Sequence, residues 1–232
     1  MYMKLLGLIG GMSWESTIEY YRIINELVKE ELGDWNCAEL ILYSVNFNEI
    51  YRLQQQQKWD VVAEILIGIS KKLENAGCEA IIICSNTAHK VADKIIAEIT
   101  IPLIHVVDET AKEIKRYKIG TIGLLGTIFT MEGEFYRKTL ENKYGLKVLL
   151  PNPKQREYIN DKIFNEFAQG IFLDATKSVF LDIIHELKAN GAEGIILGCT
   201  EIPLLIQQDD VDIPLFDTLR IHLEAAVQFV LS

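Results

Sequence analysis

The sequence predicts an α/β fold with parallel sheets, built as two halves of common design. Three observations carry this. Short apolar, β-branched runs alternate with stretches of helical periodicity along the chain, the pattern of parallel strands joined by helices. Several of the runs stop abruptly at glycine or a small polar residue, where a buried strand hands over to a helix. The pattern then restarts about 115 residues on. GLIGG at 7–11 resembles GLLGT at 123–127, and GCEAIIIC at 77–84 resembles GAEGIILGC at 191–199. Between these pairs, Tyr20-Tyr21-Arg22 is matched by Phe135-Tyr136-Arg137. Three matches in the same order mark an internal repeat.

Taken in order, Leu5–Ile9 is the first apolar strand, and Gly10-Gly11 turns the chain. Met12-Ser13-Trp14-Glu15-Ser16 opens a helix whose apolar face is Ile18, Tyr21, Ile24, Leu27 and Val28, with Gly33 as its stop. Ala38–Val45 reads as a strand and Asn46–Gln57 as a polar loop. A helix over Val61–Glu74 ends at Gly77. The run Ala80–Ile83 is a strand that ends at Cys84. A helix over about Lys90–Ile99, a strand at Leu103–Val107 and a helix at Asp108–Arg116 complete the first pass.

In the second pass, Ile119–Leu125 is a strand closed by Gly126-Thr127, followed by a helix around Met131–Tyr144 and a strand at Lys147–Leu150. Pro151 and Pro153 mark a loop. Helices follow at about Gln155–Ala168 and Ala175–Asn190, with Gly170 and Gly191 as stops. A strand then ends at Cys199, followed by a short helix, a strand at Asp212–Phe216 and a last helix at Thr218–Leu231.

Composition narrows the function. The 232 residues are 49% hydrophobic and 24% charged, as in an ordinary soluble globular protein. A net charge of −10 argues against a nucleic-acid partner, which needs clustered Lys and Arg. The longest apolar runs are too short to span a bilayer, and the N-terminal apolar stretch is too short for a signal sequence. The expected location is cytoplasmic. Cys37, Cys78, Cys84 and Cys199 form no CxxC pair, so neither a metal site nor a disulfide framework is expected. Cys37 and Cys78 read as ordinary small residues.

Cys84 and Cys199 are different, because the repeat places both at matching strand ends. Beside a helix start the thiol pKa is expected to fall from its ordinary value of about 8.5. A thiolate on one side of a carbon can remove a proton while a thiol on the other side returns one, which inverts the centre with no metal and no organic cofactor. The carbanion needs stabilising, and donors in Ser85-Asn86-Thr87 and Thr200-Glu201 are placed to bind a carboxylate. Glu201 beside Cys199 would oppose thiolate formation there, making Cys199 the protonated partner at rest. The competing reading is two buried structural cysteines.

Further stretches carry a family likeness. GGMSWEST at 10–17, CSNTAHK at 84–90, TMEGEFYR at 130–137, LGCTEIP at 197–203 and FDTLRIH at 216–222 together resemble the aspartate/glutamate racemase family. The likeness is to its bacterial branch of Asp/Glu or broad-specificity amino-acid racemases and runs the full length. It implies a cofactor-independent racemase with two pseudo-symmetric, flavodoxin-like α/β domains and the active site between them. The C-terminal segment returns to the first domain, giving 1–100 plus 209–232 and 101–208. Cys84 and Cys199 become the acid/base pair. Met12, Ser85, Asn86, Thr87 and Thr200 surround the substrate's α-carboxylate and amino group, and Arg52 meets a side-chain carboxylate. The Lys that aspartate-specific relatives carry before the glycine of the second half is missing from Phe167-Ala168-Gln169-Gly170, and Lys162 is out of register.

The expected substrate is aspartate or glutamate, because an Arg buried without a carboxylate partner would be costly. A homodimer is implied by the same likeness. Broad-specificity racemases of neutral amino acids, hydantoin racemases, maleate isomerases, arylmalonate decarboxylases and a degenerate small-molecule binding module remain as alternatives. His89 reads as a helix-start residue capping backbone, His105 and His222 as core or interface, and His185 as surface. Gly10-Gly11 lacks the spacing of a dinucleotide loop.

Overall fold

Leu6–Gly10 is buried at every position, as a strand covered on both faces must be. It forms β1, the centre of a parallel sheet in the computed structural model of the protein, which describes residues 2–232. The chain continues through α1 (Trp14–Leu32), β2 (Leu40–Ser44), α2 (Phe47–Gln55), α3 (Trp59–Asn75) and β3 (Ala80–Ile83). A 3-10 turn at Thr87–Val91 then leads into α4 (Ala92–Ile96). The sheet order is β2-β1-β3, with both pairings parallel.

The first pass closes on α5 (Val106–Arg116), and the second opens on β4 (Thr121–Gly126), followed by α6 (Ile128–Met131), α7 (Glu134–Lys138) and a π-helical turn at Thr139–Lys143. Next come β5 (Lys147–Leu149), α8 (Pro153–Asn165), a 3-10 turn at Phe167–Gln169, α9 (Asp174–Ala189) and β6 (Ile195–Gly198). The chain ends with α10 (Ile202–Leu205), β7 (Leu215–Asp217) and α11 (Thr218–Val230). The second sheet has the order β5-β4-β6-β7, again all parallel. The first strand of each pass therefore takes an inner position, with its successors on either side.

The chain divides into two compact units, Met1–His105 with His222–Ser232, and Val106–Ile221. The last boundary lies at 221/222 rather than the expected 208/209, because β7 pairs with β6 and keeps this stretch in the second unit. The first boundary lies at 105/106 rather than 100/101. Each unit has its own apolar core, built in the first around Ile9, Leu66, Ile81 and Ile95, and in the second around Leu124, Phe180, Ile196 and Phe216.

Other differences from the expected elements have local causes. Asn46–Gln57 is not a loop: Asn46 caps α2 by accepting a hydrogen bond from the Asn48 amide, and Ile50 and Gln54 form its buried side. Leu103–Val107 pairs only at Leu103, which bridges to Ile81, before Val106 starts α5. The helix expected around Met131–Tyr144 is α7 with the π-helical turn that continues it, and it starts at Glu134, after Gly133, because Ile128–Met131 forms a separate turn. Pro153 does not mark a loop but opens α8, with Asn152 and Gln155 forming a capping box. In α1 the buried side is Tyr20, Ile23, Ile24, Leu27 and Val28, while Ile18 and Tyr21 are about half exposed.

Buried polar groups in the first unit are paired. His222 Nε2 lies 2.7 Å from the Ile104 carbonyl oxygen, which can only accept, so Nε2 carries the proton. In the neutral ring Nδ1 then accepts from the Tyr20 hydroxyl at 3.1 Å. His89 Nδ1 donates to the Ser85 carbonyl oxygen at 2.8 Å, and its ring packs against those of His105 and His222 at 4.7 and 5.5 Å. Burial holds the His89 and His222 rings neutral, with His222 pushed down to about 4 and His89 well below its ordinary range.

Two predictions follow from packing and burial. A Cβ on Gly198 would lie 2.7 Å from the Leu125 carbonyl oxygen on the neighbouring strand, whereas one on Gly68, in α3, meets nothing within 4 Å. Gly198→Ala is expected to destabilise by about 1–3 kcal/mol. Gly68→Ala should instead stabilise by about 0.5–1 kcal/mol. Urea unfolding of both variants checks the signs. The second prediction concerns acid. The folded His222 binds its proton more weakly than the unfolded residue, so acid favours the unfolded chain. The stability present above pH 6.5 should fall progressively toward pH 4. His222 alone accounts for about 3 kcal/mol of that loss. Thermal unfolding from pH 8 to 4 should show a shallower acid slope in His222→Phe. An unchanged slope would place the acid sensitivity elsewhere.

Candidate active site

Cys84 is positioned by the sheet. Its amide donates to the Ile9 carbonyl oxygen at 2.9 Å, extending the β1–β3 ladder one step beyond Ile83. The Ser85 amide then turns back onto the Ile83 carbonyl oxygen at 2.8 Å. The Ala88 and His89 amides bond to Ser85 Oγ and the Asn86 carbonyl oxygen. Cys84 and Asn86 are buried, while Ser85 and Thr87 are partly exposed.

The neighbouring strand, β1, delivers Gly11 and Met12 from the same end of the sheet. Gly11 has φ +86°, and a Cβ there would lie 2.4 Å from the Val45 carbonyl oxygen, so glycine is required on both grounds. Its amide donates to Thr17 Oγ1 at 2.8 Å, and Ser13 caps α1 by accepting from the Ser16 amide. Met12 is buried, and the Met12–Ser13 peptide is cis.

In the second unit, Gly198 pairs with Gly126 and Cys199 follows directly. The Cys199 thiol donates to Glu201 Oε2 at 2.9 Å, and the Thr200 hydroxyl donates to the same oxygen at 2.8 Å. All three residues are buried.

The electrostatics correct one expectation. Burial pushes the Cys84 thiol up, not down. Cys199 lies well above its ordinary range, first through burial and then through the Glu201 carboxylate. The segments after the thiols are a five-residue 3-10 turn and a four-residue helix. So few aligned peptides do not offset the desolvation of a thiolate. Both thiols are thus raised, and the Glu201 carboxylate beside Cys199 has no counterpart beside Cys84 among the causes.

Arg52 also differs from expectation. It lies on α2, is exposed, and has no ion-pair partner among the described residues. The burial argument for an acidic substrate therefore lapses, although the guanidinium is available to a carboxylate. Lys162 is engaged: its Nζ lies 2.6 Å from Glu166 Oε1, and Glu166 also accepts from Thr176. His185 and Cys37 are exposed, Cys78 is buried, and His89 caps backbone as expected. Among the described residues no group of His, Cys, Asp or Glu is arranged to hold a metal ion, and no helix is long and apolar enough to cross a membrane.

The structure thus gathers Met12, Cys84, Ser85, Asn86 and Thr87 at the end of one sheet, and Cys199, Thr200 and Glu201 at the end of the other. The Tyr20–His222 pair was not foreseen. Its members are 202 residues apart and no spacing links them. The Asn46 cap did offer a signal for α2.

The sequence model of the Asp/Glu/Hydantoin racemase family matches residues 9–226. The broad specificity amino-acid racemase RacX of Bacillus subtilis (strain 168) is 23% identical over 217 residues, covering 92% of each chain. Among solved structures, a candidate Asp/Glu racemase from Yersinia pestis is 48% identical with a TM-score of 0.94, over 99% of this chain and 100% of that one. An aspartate racemase homologue from Pyrococcus horikoshii OT3 is 38% identical with a TM-score of 0.88, at the same coverage. With its two parallel sheets flanked by helices and a family match along nearly its whole length, the chain belongs to the Asp/Glu/Hydantoin racemase family and is an isomerase.

Proposed function

We propose that the protein is a cofactor-independent amino-acid racemase that inverts Cα by two-base proton transfer, acting on aspartate or glutamate. The observation that carries this is the equivalence of the thiols. Each follows the strand that pairs beside the first strand of its pass, one step beyond the last paired residues. In this reading Cys84 and Cys199 act on opposite faces of Cα, one removing the proton and the other returning it. Donors in Ser85, Asn86, Thr87 and Thr200 hold the α-carboxylate and amino group, which keeps negative charge off Cα as the carbanion forms. Met12 supplies an apolar wall. Because burial raises both thiols, the thiolate is scarce at neutral pH, and the rate rises with pH until it forms fully.

The unpaired Arg52 supports an acidic side chain on the substrate. A broad-specificity reading has support as well: Lys162 is occupied by Glu166, leaving no second anchor there, and the Bacillus subtilis relative is a broad specificity racemase. A homodimer belongs to the same proposal, and light scattering tests it.

The deciding measurement is a screen of L-amino acids by chiral chromatography in deuterated water, without pyridoxal phosphate or added metal. L-Asp or L-Glu should racemise with deuterium at Cα, and Cys84→Ala and Cys199→Ala should each lose about 10²–10⁴-fold. Faster turnover of L-Met than of either acid would favour broad specificity. A covalent thiol adduct with maleate would indicate an isomerase of that substrate instead, and no Cα exchange on any amino acid would leave a binding module.

A further inference from the structure

The turn after Cys84 carries donors assigned to the substrate's α-carboxylate, and a buried imidazole holds it. In an α-helix the Ser85 carbonyl oxygen would accept from the His89 amide, four residues on. Here that amide bonds to the Asn86 carbonyl oxygen instead, at 3.1 Å. The side chain of the same residue supplies the missing bond: His89 Nδ1 donates to the Ser85 oxygen at 2.8 Å. The ring is 2% exposed, and the Ile104 backbone is a second partner. His105 and His222 pack edge-on against it at 4.7 and 5.5 Å. His222 is itself fixed by Tyr20 and the Ile104 carbonyl oxygen. The turn after Cys199 has the same backbone bond, from the Leu204 amide to the Glu201 carbonyl oxygen at 3.1 Å, but an exposed leucine in place of the ring.

We propose that His89 is a positioning residue of the reaction, which sets the direction of the Asn86 backbone N–H by holding the Ser85 carbonyl oxygen. This rests on the racemase reading for its purpose, but not for its geometry. The Ser85 carbonyl and the Asn86 N–H belong to one planar trans peptide, so they point in opposite directions. Drawing the oxygen onto the buried ring aims the N–H away from it. A backbone donor fixed in this way meets negative charge on a carboxylate without reorganising as that charge grows. No proton changes hands: the ring is buried and stays neutral, and it acts only through the peptide that it holds. The contacts from residues 104–105 and from α11 keep the ring itself from turning.

The test separates the hydrogen bond from the ring. In His89→Asn the side-chain NH2 stands where Nδ1 stood, in His89→Gln it lies one bond farther out, and His89→Phe keeps a ring without a donor. All three should melt at a lower temperature. Among the folded proteins, His89→Gln and His89→Phe should lose at least about tenfold in racemase kcat with a much smaller change in KM. His89→Asn should recover most of that loss. Amide hydrogen exchange in the segment 85–90 should follow the same order, several-fold faster in the Gln and Phe variants than in the wild type and the Asn variant. A ring that is merely structural would lower the melting temperature and leave kcat of the folded protein unchanged, and that result overturns the proposal. So does a His89→Asn variant as slow as His89→Gln. Should His89→Phe not fold, the Asn and Gln variants decide between them. If the wild type exchanges no Cα proton on any amino acid, the racemase reading fails separately. Hydrogen exchange then decides alone, and equal rates in the wild type and His89→Gln refute the hold on the turn.

Discussion

Parallel pairing beside the first strand of each pass is the constraint on which the rest depends. Cys84 is held by a bond to the Ile9 carbonyl oxygen, and Cys199 follows a glycine that faces Gly126. The backbones at that second crossing are so close that a Cβ on Gly198 would strike the Leu125 carbonyl oxygen. At the first crossing Gly10 leaves room for Thr17, whose hydroxyl holds the Gly11 amide and in turn donates to the Ser13 carbonyl oxygen. The sulfurs therefore do not hang on free loops. Cys84 is the last bonded step of its ladder and Cys199 follows directly on the last pair of the other, and the polar residues that follow inherit their placement.

Burial that fixes the sulfurs also sets their chemistry. A thiol at the end of a covered strand has lost its water, and the short turns that follow return little of that cost through their peptide dipoles. The same trade governs the histidines. His222 is admitted to the first unit only as a neutral ring whose two nitrogens are both used, by Tyr20 and by the Ile104 carbonyl oxygen. That pairing ties the returning C-terminal segment to α1, and the Lys4 amide on the Val230 carbonyl oxygen ties it again near the start of β1.

Strand positions were legible because a fully apolar β-branched run bounded by glycine has few other homes in a chain of this size, and the repeat showed each run twice. Ala80–Ile83 and its thiol could be read in this way. Contacts between distant residues could not: nothing in the local pattern pairs Tyr20 with His222. The fate of Leu103–Val107 was equally hidden, since an apolar run after a proline serves a strand or a helix start, and only one residue of it pairs. The thiol acidity is hidden for a related reason. Sequence shows that a helix follows, but not that it is one turn long. The burial of Arg52 is implied by the family likeness alone and not by its local pattern, and it is the exposed side of α2 that carries it.

What the duplication copies is backbone, and what it leaves uncopied is the polar chemistry around each sulfur. The turn after Cys84 is held by an imidazole, through His89 and the Ser85 carbonyl oxygen, and offers an amide at Asn86. The turn after Cys199 is held by the Ile202 amide on the Cys199 carbonyl oxygen and offers a carboxylate. Under the proposed mechanism this inequality carries no thermodynamic penalty. Two enantiomers in water have equal free energy, so kcat/KM must be the same in both directions however unlike the two thiols are. Only the separate kcat and KM values can differ. Selection on net flux therefore leaves each sulfur free to acquire its own means of gaining and losing a proton, provided that both remain able to do so.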